Sequence, residues 1–252
     1  MSGSSAIVPG DACLFLDFDG TLVDFAAGPK SVIVTPDLVP MLRDLSNRLD
    51  GALAMITGRA LDDIDQMLWP LQLPTAALHG TMRRDGSGKV TIVGNPSVED
   101  FKVASRRLCQ QFQRWVARHP GVCVEDKGLA LALHFRNAQP RWTPEPDDLK
   151  ILASLLTPDL ELLSGDLVLE VRLRGGNKRT AVEAFLAEPP FTDRMPIYIG
   201  DDVADVPAME TVERRGGMTI AIGARIDARW CMPDPAALRL WLAALARRND
   251  PS

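Results

Sequence analysis

The sequence predicts an α/β protein built on a doubly wound parallel sheet, with an α+β module inserted into it. Short, continuous apolar runs at residues 13–16, 52–56 and 197–199 suit strands buried on both faces of a parallel sheet. Segments with helical apolar spacing alternate with these runs before residue 83 and again after residue 173. Between them the pattern changes to residue-by-residue alternation and Gly-containing turns, as in an antiparallel sheet. Residues 1–82 and 174–252 are therefore expected to form the core, and 83–173 the insertion.

The first run, Cys13-Leu14-Phe15-Leu16, ends in Asp17-Phe18-Asp19-Gly20-Thr21. In an open α/β sheet, ligands sit outside the carboxyl ends of strands, so both carboxylates belong in a cleft. Thr35-Pro36 is expected to open a helix, because Thr is a good N-cap and Pro is tolerated at the first helical position. Leu38, Met41, Leu42, Leu45 and Leu49 form its apolar stripe, and Gly51 ends it. Residues 52–56 form the second strand, closed by Thr57-Gly58-Arg59. The next helix has Leu61, Ile64, Met67 and Leu68 inward and stops before Pro70. Residues 76–78 make a third strand ending at His79-Gly80.

In the insertion, Gly86-Ser87-Gly88 turns a hairpin into residues 90–93. Ser97 caps a long helix with Phe101, Ala104, Leu108, Phe112 and Trp115 inward. Residues 122–125 and 129–136 pair as antiparallel strands around Asp126-Lys127-Gly128. Period two places Leu129, Leu131, Leu133 and Phe135 on one face, with His134 and Arg136 on the other. A helix follows over 147–156. In 167–173, Leu167, Leu169, Val171 and Leu173 share a face opposite Glu170 and Arg172. Gly175-Gly176-Asn177-Lys178 leads back into a helix with Ala181, Val182 and Phe185 inward. The run 197–199 closes with Gly200-Asp201-Asp202, residues 218–222 form the last clear strand, and 235–247 the last helix.

A chain of 252 residues suits one large or two modest domains. Its net charge of −5 argues against a broad nucleic-acid surface while allowing a local phosphate pocket. Cys13, Cys109, Cys123 and Cys231 are scattered and form no Cys-x-x-Cys pair. Buried free thiols in a reducing compartment are expected, hence a cytoplasmic location. The first twelve residues lack the layout of a signal peptide, and no apolar run is long enough to cross a bilayer.

Two carboxylates as close as Asp17 and Asp19 need a shared proton or a cation, and a cation together with a phosphate suits the whole group. Asp17 could attack phosphorus while Asp19 donates and recovers a proton. The Thr57 hydroxyl could hold a phosphoryl oxygen, and Lys178, at a helix start, could neutralise it. Asp201 and Asp202 end a late strand, where a carboxylate could complete a magnesium site. Singly, each has a plainer reading. Asp19-Gly20 and Thr57-Gly58 are also turns, Lys178 a solvated lysine, and Asp201-Asp202 a helix cap. The conjunction in this order carries the weight.

That order, DFDGT, TGR, a lysine, then GDD, resembles the haloacid dehalogenase (HAD) superfamily of phosphatases over nearly the whole chain. The resemblance implies a Rossmann-like core and makes the insertion the larger α/β cap, which selects substrate. Leu78-His79-Gly80, Glu125-Asp126-Lys127-Gly128, His134-Phe135-Arg136, Glu170-Val171-Arg172, Gly176-Asn177-Lys178 and Ile199-Gly200-Asp201-Asp202 are similar to trehalose-6-phosphate phosphatases. By that resemblance Asp17 forms a phosphoaspartate and Asp19 is the acid/base. Thr57 and Lys178 bind the phosphoryl group. Asp17, Asp19 (through its carbonyl) and Asp201 hold Mg²⁺, with Asp202 and Asp205 behind them. Glu125, Lys127, Arg136 and Glu170 reach from the cap to sugar hydroxyls, where charged groups make directional hydrogen bonds. Gly20, Thr21, Gly58, Arg59, His79, Gly80 and Asn177 complete the implied substrate-binding set. Without the resemblance, the cap residues read as a solvated hairpin tip and a polar sheet face.

The implied protein is a monomeric, Mg²⁺-dependent hydrolase of trehalose 6-phosphate, with a small sugar phosphate as its partner and neither nucleic acid nor membrane. There are departures. The family usually continues GDD with Thr-Asp-Glu, where this chain has Val203-Ala204-Asp205-Val206. Leu173 stands where Pro is frequent, and Arg179 where Gly is. The rival readings are a phosphatase for another sugar phosphate, such as sucrose phosphate or mannosyl-phosphoglycerate, and a non-catalytic sugar-phosphate sensor. A sensor would have no need of a nucleophile.

Overall fold

The computed structural model describes residues 11–25, 31–94, 97–165 and 167–247. The expectation about a signal peptide falls largely on residues 1–10, outside the described residues. The chain enters with β1 (Ala12–Leu16), α1 (Leu38–Arg48), β2 (Leu53–Ile56), α2 (Leu61–Met67), β3 (Thr75–Ala77) and β4 (Met82–Arg84). β5 (Val90–Ile92) leads to α3 (Val98–Arg118), β6 (Cys123–Asp126), β7 (Ala130–His134), α4 (Pro146–Leu155), β8 (Leu160–Gly165) and β9 (Val168–Leu173). Then come α5 (Lys178–Leu186), β10 (Met195–Gly200), α6 (Val206–Arg214), β11 (Met218–Ile222), β12 (Trp230–Met232) and α7 (Pro235–Arg247).

Two compact units result: Met1–Val90 with Asn177–Ser252, and Thr91–Gly176. The first boundary falls later than residues 82/83, since β4 adds antiparallel to β3 and so stays with the core; the second falls at 176/177, three residues after 173/174.

The larger sheet has the order β12-β11-β10-β1-β2-β3-β4-β5, parallel from β12 to β3. β1 is central because every one of its residues is apolar and can be covered on both faces, and all are fully buried. From β1 the chain moves to β2 and β3 on one side and returns through β10 on the other. That reversal creates the switch point at which open α/β sheets bind ligands. Helices α1 and α7 pack together, as do α5 and α6. The first pair buries Leu38, Leu42 and Leu45 with Leu238, Leu242 and Leu245, each worth about 1.5–3 kcal/mol when fully covered. Phe15 of β1 stacks on Phe191 at 5.5 Å and tilts against Phe185 of α5 at 6.1 Å.

The second unit is a four-stranded antiparallel sheet, β6-β7-β9-β8, with two helices. Helix α3 starts at a reciprocal cap. The Ser97 hydroxyl accepts from the Asp100 N–H, and the Asp100 carboxylate accepts from the Ser97 N–H at 2.9 Å. Its buried stripe of Phe101, Leu108, Phe112 and Trp115 extends into an aromatic group with Trp142 and Phe135.

Some expectations fail for local reasons. Helix α1 starts at Leu38 with Asp37 in the cap position, because residues 35–38 first close a turn through Leu38 N–H to the Thr35 carbonyl at 3.0 Å. Strand β8 is unanticipated. Strand β7 ends at His134, so Arg136 stands exposed in the turn that closes through Ala138 N–H to the Phe135 carbonyl. Of the cysteines only Cys13 is buried; Cys109 is half-buried, and Cys123 and Cys231 are exposed on the edge strands β6 and β12.

Candidate active site

The site residues of the first unit come from the carboxyl ends of β1, β2 and β10 and from the start of α5. Asp17 follows β1, and its N–H donates to the Ile199 carbonyl of β10 at 2.9 Å, which ties the two loops together. Asp201 follows β10. Its Oδ1 accepts the Thr21 hydroxyl at 3.0 Å. Gly20, at φ +79°, lets Asp201 in: a Cβ there would stand 2.5 Å from Asp201 Oδ2. Gly20 and Thr21, expected at the substrate, thus lie against Asp201.

Lys178 opens α5, whose N-cap is Asn177; the Asn177 carboxamide oxygen accepts the Thr180 N–H at 2.9 Å. Buried at 4% exposure, Lys178 Nζ lies 2.9 Å from Asp17 Oδ1 and 2.6 Å from Asp205 Oδ1. Asp205 also accepts the Tyr198 hydroxyl at 2.7 Å on Oδ1, and on Oδ2 the N–H groups of Asp201 and Asp202 at 3.2 and 3.1 Å. Four donors fill the sites of one carboxylate. Asp205 is therefore the keystone of the two loops. The side chain of Asp202 turns outward to cap Val203 at 2.8 Å. Val206, in place of the family's glutamate, begins α6 and packs half-buried on the apolar core.

Carboxylate oxygens of Asp17, Asp201 and Asp205 lie within 4.8 Å of one another. Against these three acids stand one buried ammonium, Lys178, and the half-exposed guanidinium of Arg225, 3.9 Å from Asp201, so the cluster is short of positive charge. Burial, and then the charge of Asp205, hold the Asp17 carboxyl well above the usual range, with Lys178 pulling the other way. Burial lifts Asp201 to about 6 against the hydrogen bond from Thr21. Lys178 is raised: burial opposes its charge, but Asp17 and Asp205 outweigh burial. Asp201 Oδ2 is a buried oxygen with no hydrogen-bond partner. Arg225 approaches it only to 3.9 Å, beyond hydrogen-bonding range. An orphaned carboxylate oxygen beside Asp17, in a buried site short of positive charge, fits a divalent cation. Asp205 is saturated by donors, so Asp17 and Asp201 are the carboxylates able to take it.

Thr57 ends β2 and is fully buried; its hydroxyl accepts the Arg59 N–H at 3.2 Å. Arg59, expected among the substrate-binding groups, lies against Asp19. Its guanidinium forms a two-pronged pair with Asp19, Nε to Oδ2 and an η-nitrogen to Oδ1, both at 2.7 Å. His79 and Gly80 lie in a tight turn after β3, with the His79 ring over Gly58 and Gly80 against the Asn177 carbonyl.

In the second unit, Glu125, Ala132 and Glu170 are register partners across β6, β7 and β9. Around them lie two polar pairs, His134 Nε2 with Glu125 Oε2 and Lys127 Nζ with Glu170 Oε2, each at 2.8 Å. Arg172, opposite Ala130, donates to Glu161 at 2.8 Å. Ala130 and Ala132 thus floor a face walled by charged groups. Glu161, Arg172, His134 and Tyr198 were not among the expected site residues. Tyr198 carries a signal, as the sole tyrosine of the chain, set in an apolar strand: a buried phenol needs a partner.

A buried carboxylate beside a lysine, a cation-poor acid cluster and the β1/β10 switch point suit phosphoryl transfer, and the fold is shared, at 19% identity and a TM-score of 0.61, with a phosphatase of the haloalkanoate (HAD) superfamily from Bacteroides thetaiotaomicron. The trehalose-phosphatase family model matches residues 15–230. A "probable trehalose-phosphate phosphatase" of Sinorhizobium fredii is 41% identical over 94% of this chain and 88% of its own. The trehalose-6-phosphate phosphatase of Escherichia coli K12 is 36% identical over 90% and 84%. The crystal structure of a trehalose-6-phosphate phosphatase related protein superimposes with a TM-score of 0.76 at 26% identity, covering 93% of this chain and 97% of that one. The chain belongs to the trehalose-phosphatase family. Among the described residues, no helix is long and apolar enough to cross a membrane.

Proposed function

We propose that this protein hydrolyses trehalose 6-phosphate to trehalose and orthophosphate, with Mg²⁺ as cofactor. The observation that carries the reading is the buried Asp17–Lys178–Asp201 cluster with its deficit of positive charge. A dianionic phosphate ester needs such a site to be neutralised before a carboxylate can approach it. Asp17, Asp201 and the Asp19 carbonyl hold the cation, which supplies Lewis-acid stabilisation of the phosphoryl oxygens.

An Asp17 oxygen attacks phosphorus, and the bond from phosphorus to the sugar oxygen breaks. Asp19 protonates the departing oxygen, leaving trehalose and an aspartyl phosphate. A water then gives its proton to Asp19 and attacks phosphorus. The bond to Asp17 breaks, and orthophosphate leaves. Lys178 has three N–H donors, uses two on Asp17 and Asp205, and offers the third to a phosphoryl oxygen, with Thr57 as a second donor. Residues 91–176 act as the specificity module. There Glu125, Lys127, Arg136 and Glu170 hydrogen-bond the disaccharide hydroxyls.

The test is phosphate release over a panel of sugar phosphates with Mg²⁺, with chelator, and with the Asp17→Asn variant. Trehalose 6-phosphate is expected to be the preferred ester, and both chelation and Asp17→Asn to reduce turnover to background. Preference for another ester would overturn the substrate, and sustained turnover by folded Asp17→Asn would overturn the mechanism.

A further inference from the structure

The turn of residues 78–80 holds two consecutive non-glycine residues in the left-handed region, Leu78 at φ +50° and His79 at φ +56°. Bulky side chains disfavour that region, and such strain persists where the surroundings enforce it. Here the surroundings are the two elements proposed to hold the phosphoryl group. On one side, the turn grips the 57–59 loop from both flanks of Gly58. His79 N–H donates to the Thr57 carbonyl at 2.8 Å, and Leu78 N–H donates to the Arg59 carbonyl at 2.9 Å. Between these bonds the half-buried imidazole lies on Gly58: a Cβ at Gly58 would stand 2.4 Å from His79 Nε2 and 2.5 Å from Cε1. On the other side, Gly80 at φ +101° presses on the start of α5, where a Cβ would stand 2.4 Å from the Asn177 carbonyl oxygen. Lys178 is the next residue.

We propose that this turn is a spacer that sets the separation of Thr57 from Lys178, and that His79 is a positioning residue for the phosphoryl pocket. The proposal rests on the phosphatase reading given above. The imidazole fills the room that Gly58 leaves. It thereby holds the 57–59 loop at the height fixed by the two backbone bonds. The strained conformation is the geometric consequence of reaching the loop and α5 at once. Gly58 is small because the ring occupies its Cβ position.

The readout is orthophosphate, so that it does not depend on which sugar is the substrate. Binding of orthophosphate to the full chain is measured by calorimetry at fixed Mg²⁺, and KM and kcat are measured on p-nitrophenyl phosphate. His79→Gly removes the ring and relieves the positive φ. The variant is expected to melt at or above the wild-type temperature, yet to bind orthophosphate about ten-fold more weakly, since a small misplacement of binding groups costs one to two orders of magnitude. A residue with only a structural role would not lose binding while keeping stability. Gly58→Ala is expected to weaken orthophosphate in the wild-type background by displacing the ring. In the His79→Gly background it should have less than two-fold effect, because the two changes act through one contact. Should His79→Gly lose its melting transition, His79→Asn, which tolerates the left-handed region, gives the same comparison.

Orthophosphate binding by His79→Gly within two-fold of wild type overturns the proposal, as does an equal effect of Gly58→Ala in both backgrounds. Failure of wild-type protein to hydrolyse trehalose 6-phosphate, with these orthophosphate effects intact, would overturn the substrate and leave the spacer standing.

Discussion

Arg59→Met separates the proposed general acid from the rest of the chemistry. The substitution keeps an unbranched apolar stem and removes the guanidinium that holds both oxygens of Asp19 at 2.7 Å. Arg59 is nearly buried, with 8% of its side chain exposed against 32% for Asp19, so the pair is partly shielded from water. Hydrogen bonds between charged partners contribute roughly 1.5–3 kcal/mol. Without them, Asp19 samples other rotamers, and its occupancy of the productive pose falls by about ten- to a hundred-fold at 1.4 kcal/mol per decade.

The loss should depend on the leaving group. A sugar alkoxide needs its proton, so kcat/KM for trehalose 6-phosphate is expected to fall by that factor. p-Nitrophenolate leaves without a proton, so the first step with p-nitrophenyl phosphate should change by less than about three-fold. Hydrolysis of the aspartyl phosphate still needs Asp19 as base. It should become rate-limiting, giving a rapid burst of p-nitrophenol followed by a slow steady state. Equal losses on both esters, with no burst, would refute the positioning role of Arg59.

Further outcomes follow from the same geometry. Glu125→Ala is expected to lower kcat/KM for trehalose 6-phosphate by roughly ten-fold, the scale of one hydrogen bond to a charged group, and to spare p-nitrophenyl phosphate; equal loss on both would remove Glu125 from sugar recognition. Asp205→Ala leaves Tyr198 and two buried backbone N–H groups without their acceptor and Lys178 with Asp17 alone, and thermal unfolding should show a loss of about 3–5 kcal/mol; a loss below about 1 kcal/mol would deny Asp205 its keystone role. Asp201 at about 6, with Asp17 raised in the same sense, means that the metal-free folded state binds protons that the unfolded chain does not. Its stability should therefore fall as pH rises from about 5 to 7.5, and Lys178, raised above the ordinary lysine range, contributes a constant across that window. Mg²⁺ should add most to the melting temperature at the upper end, where the carboxylates are ionised; a metal-free melting temperature that climbs with pH would refute this.

The buried parallel strands were legible because an all-apolar run of four or five residues has few other places to go. β1, β2 and β10 all read this way, and the loops that carry Asp17, Thr57 and Asp201 follow them directly. β8 was not legible. Leu160-Glu161-Leu162-Leu163 breaks strict alternation, and its strand identity comes from pairing with β9. β4 and β12 are three-residue strands, too short to read alone, that depend on a neighbour already in place. Asp17, Lys178 and Asp201 could be singled out from their positions beside glycines at strand and helix ends. The Asp205 hub, the Arg59–Asp19 pair and the His79–Gly58 contact could not, because each is a choice of partner made in three dimensions. The cysteines misled because an apolar local context on an edge strand still leaves one side open to water.

The residues that meet at the switch point come from opposite ends of the chain: the Thr21–Asp201 hydrogen bond spans 180 positions. Closing so long a segment is entropically unfavourable, by an amount that grows with the logarithm of its length, and contacts of such long range slow folding. The insertion shortens that path. Val93 and Gly175, near its two ends, lie side by side, a Cβ on Gly175 standing 3.6 Å from the Val93 side chain. Once residues 91–176 have condensed on their own local hairpins, the chain between β4 and α5 behaves as a short connection. A module that closed on itself in this way would also serve the folding chain as a bracket, bringing β10 beside β1 and so Asp201 beside Asp17.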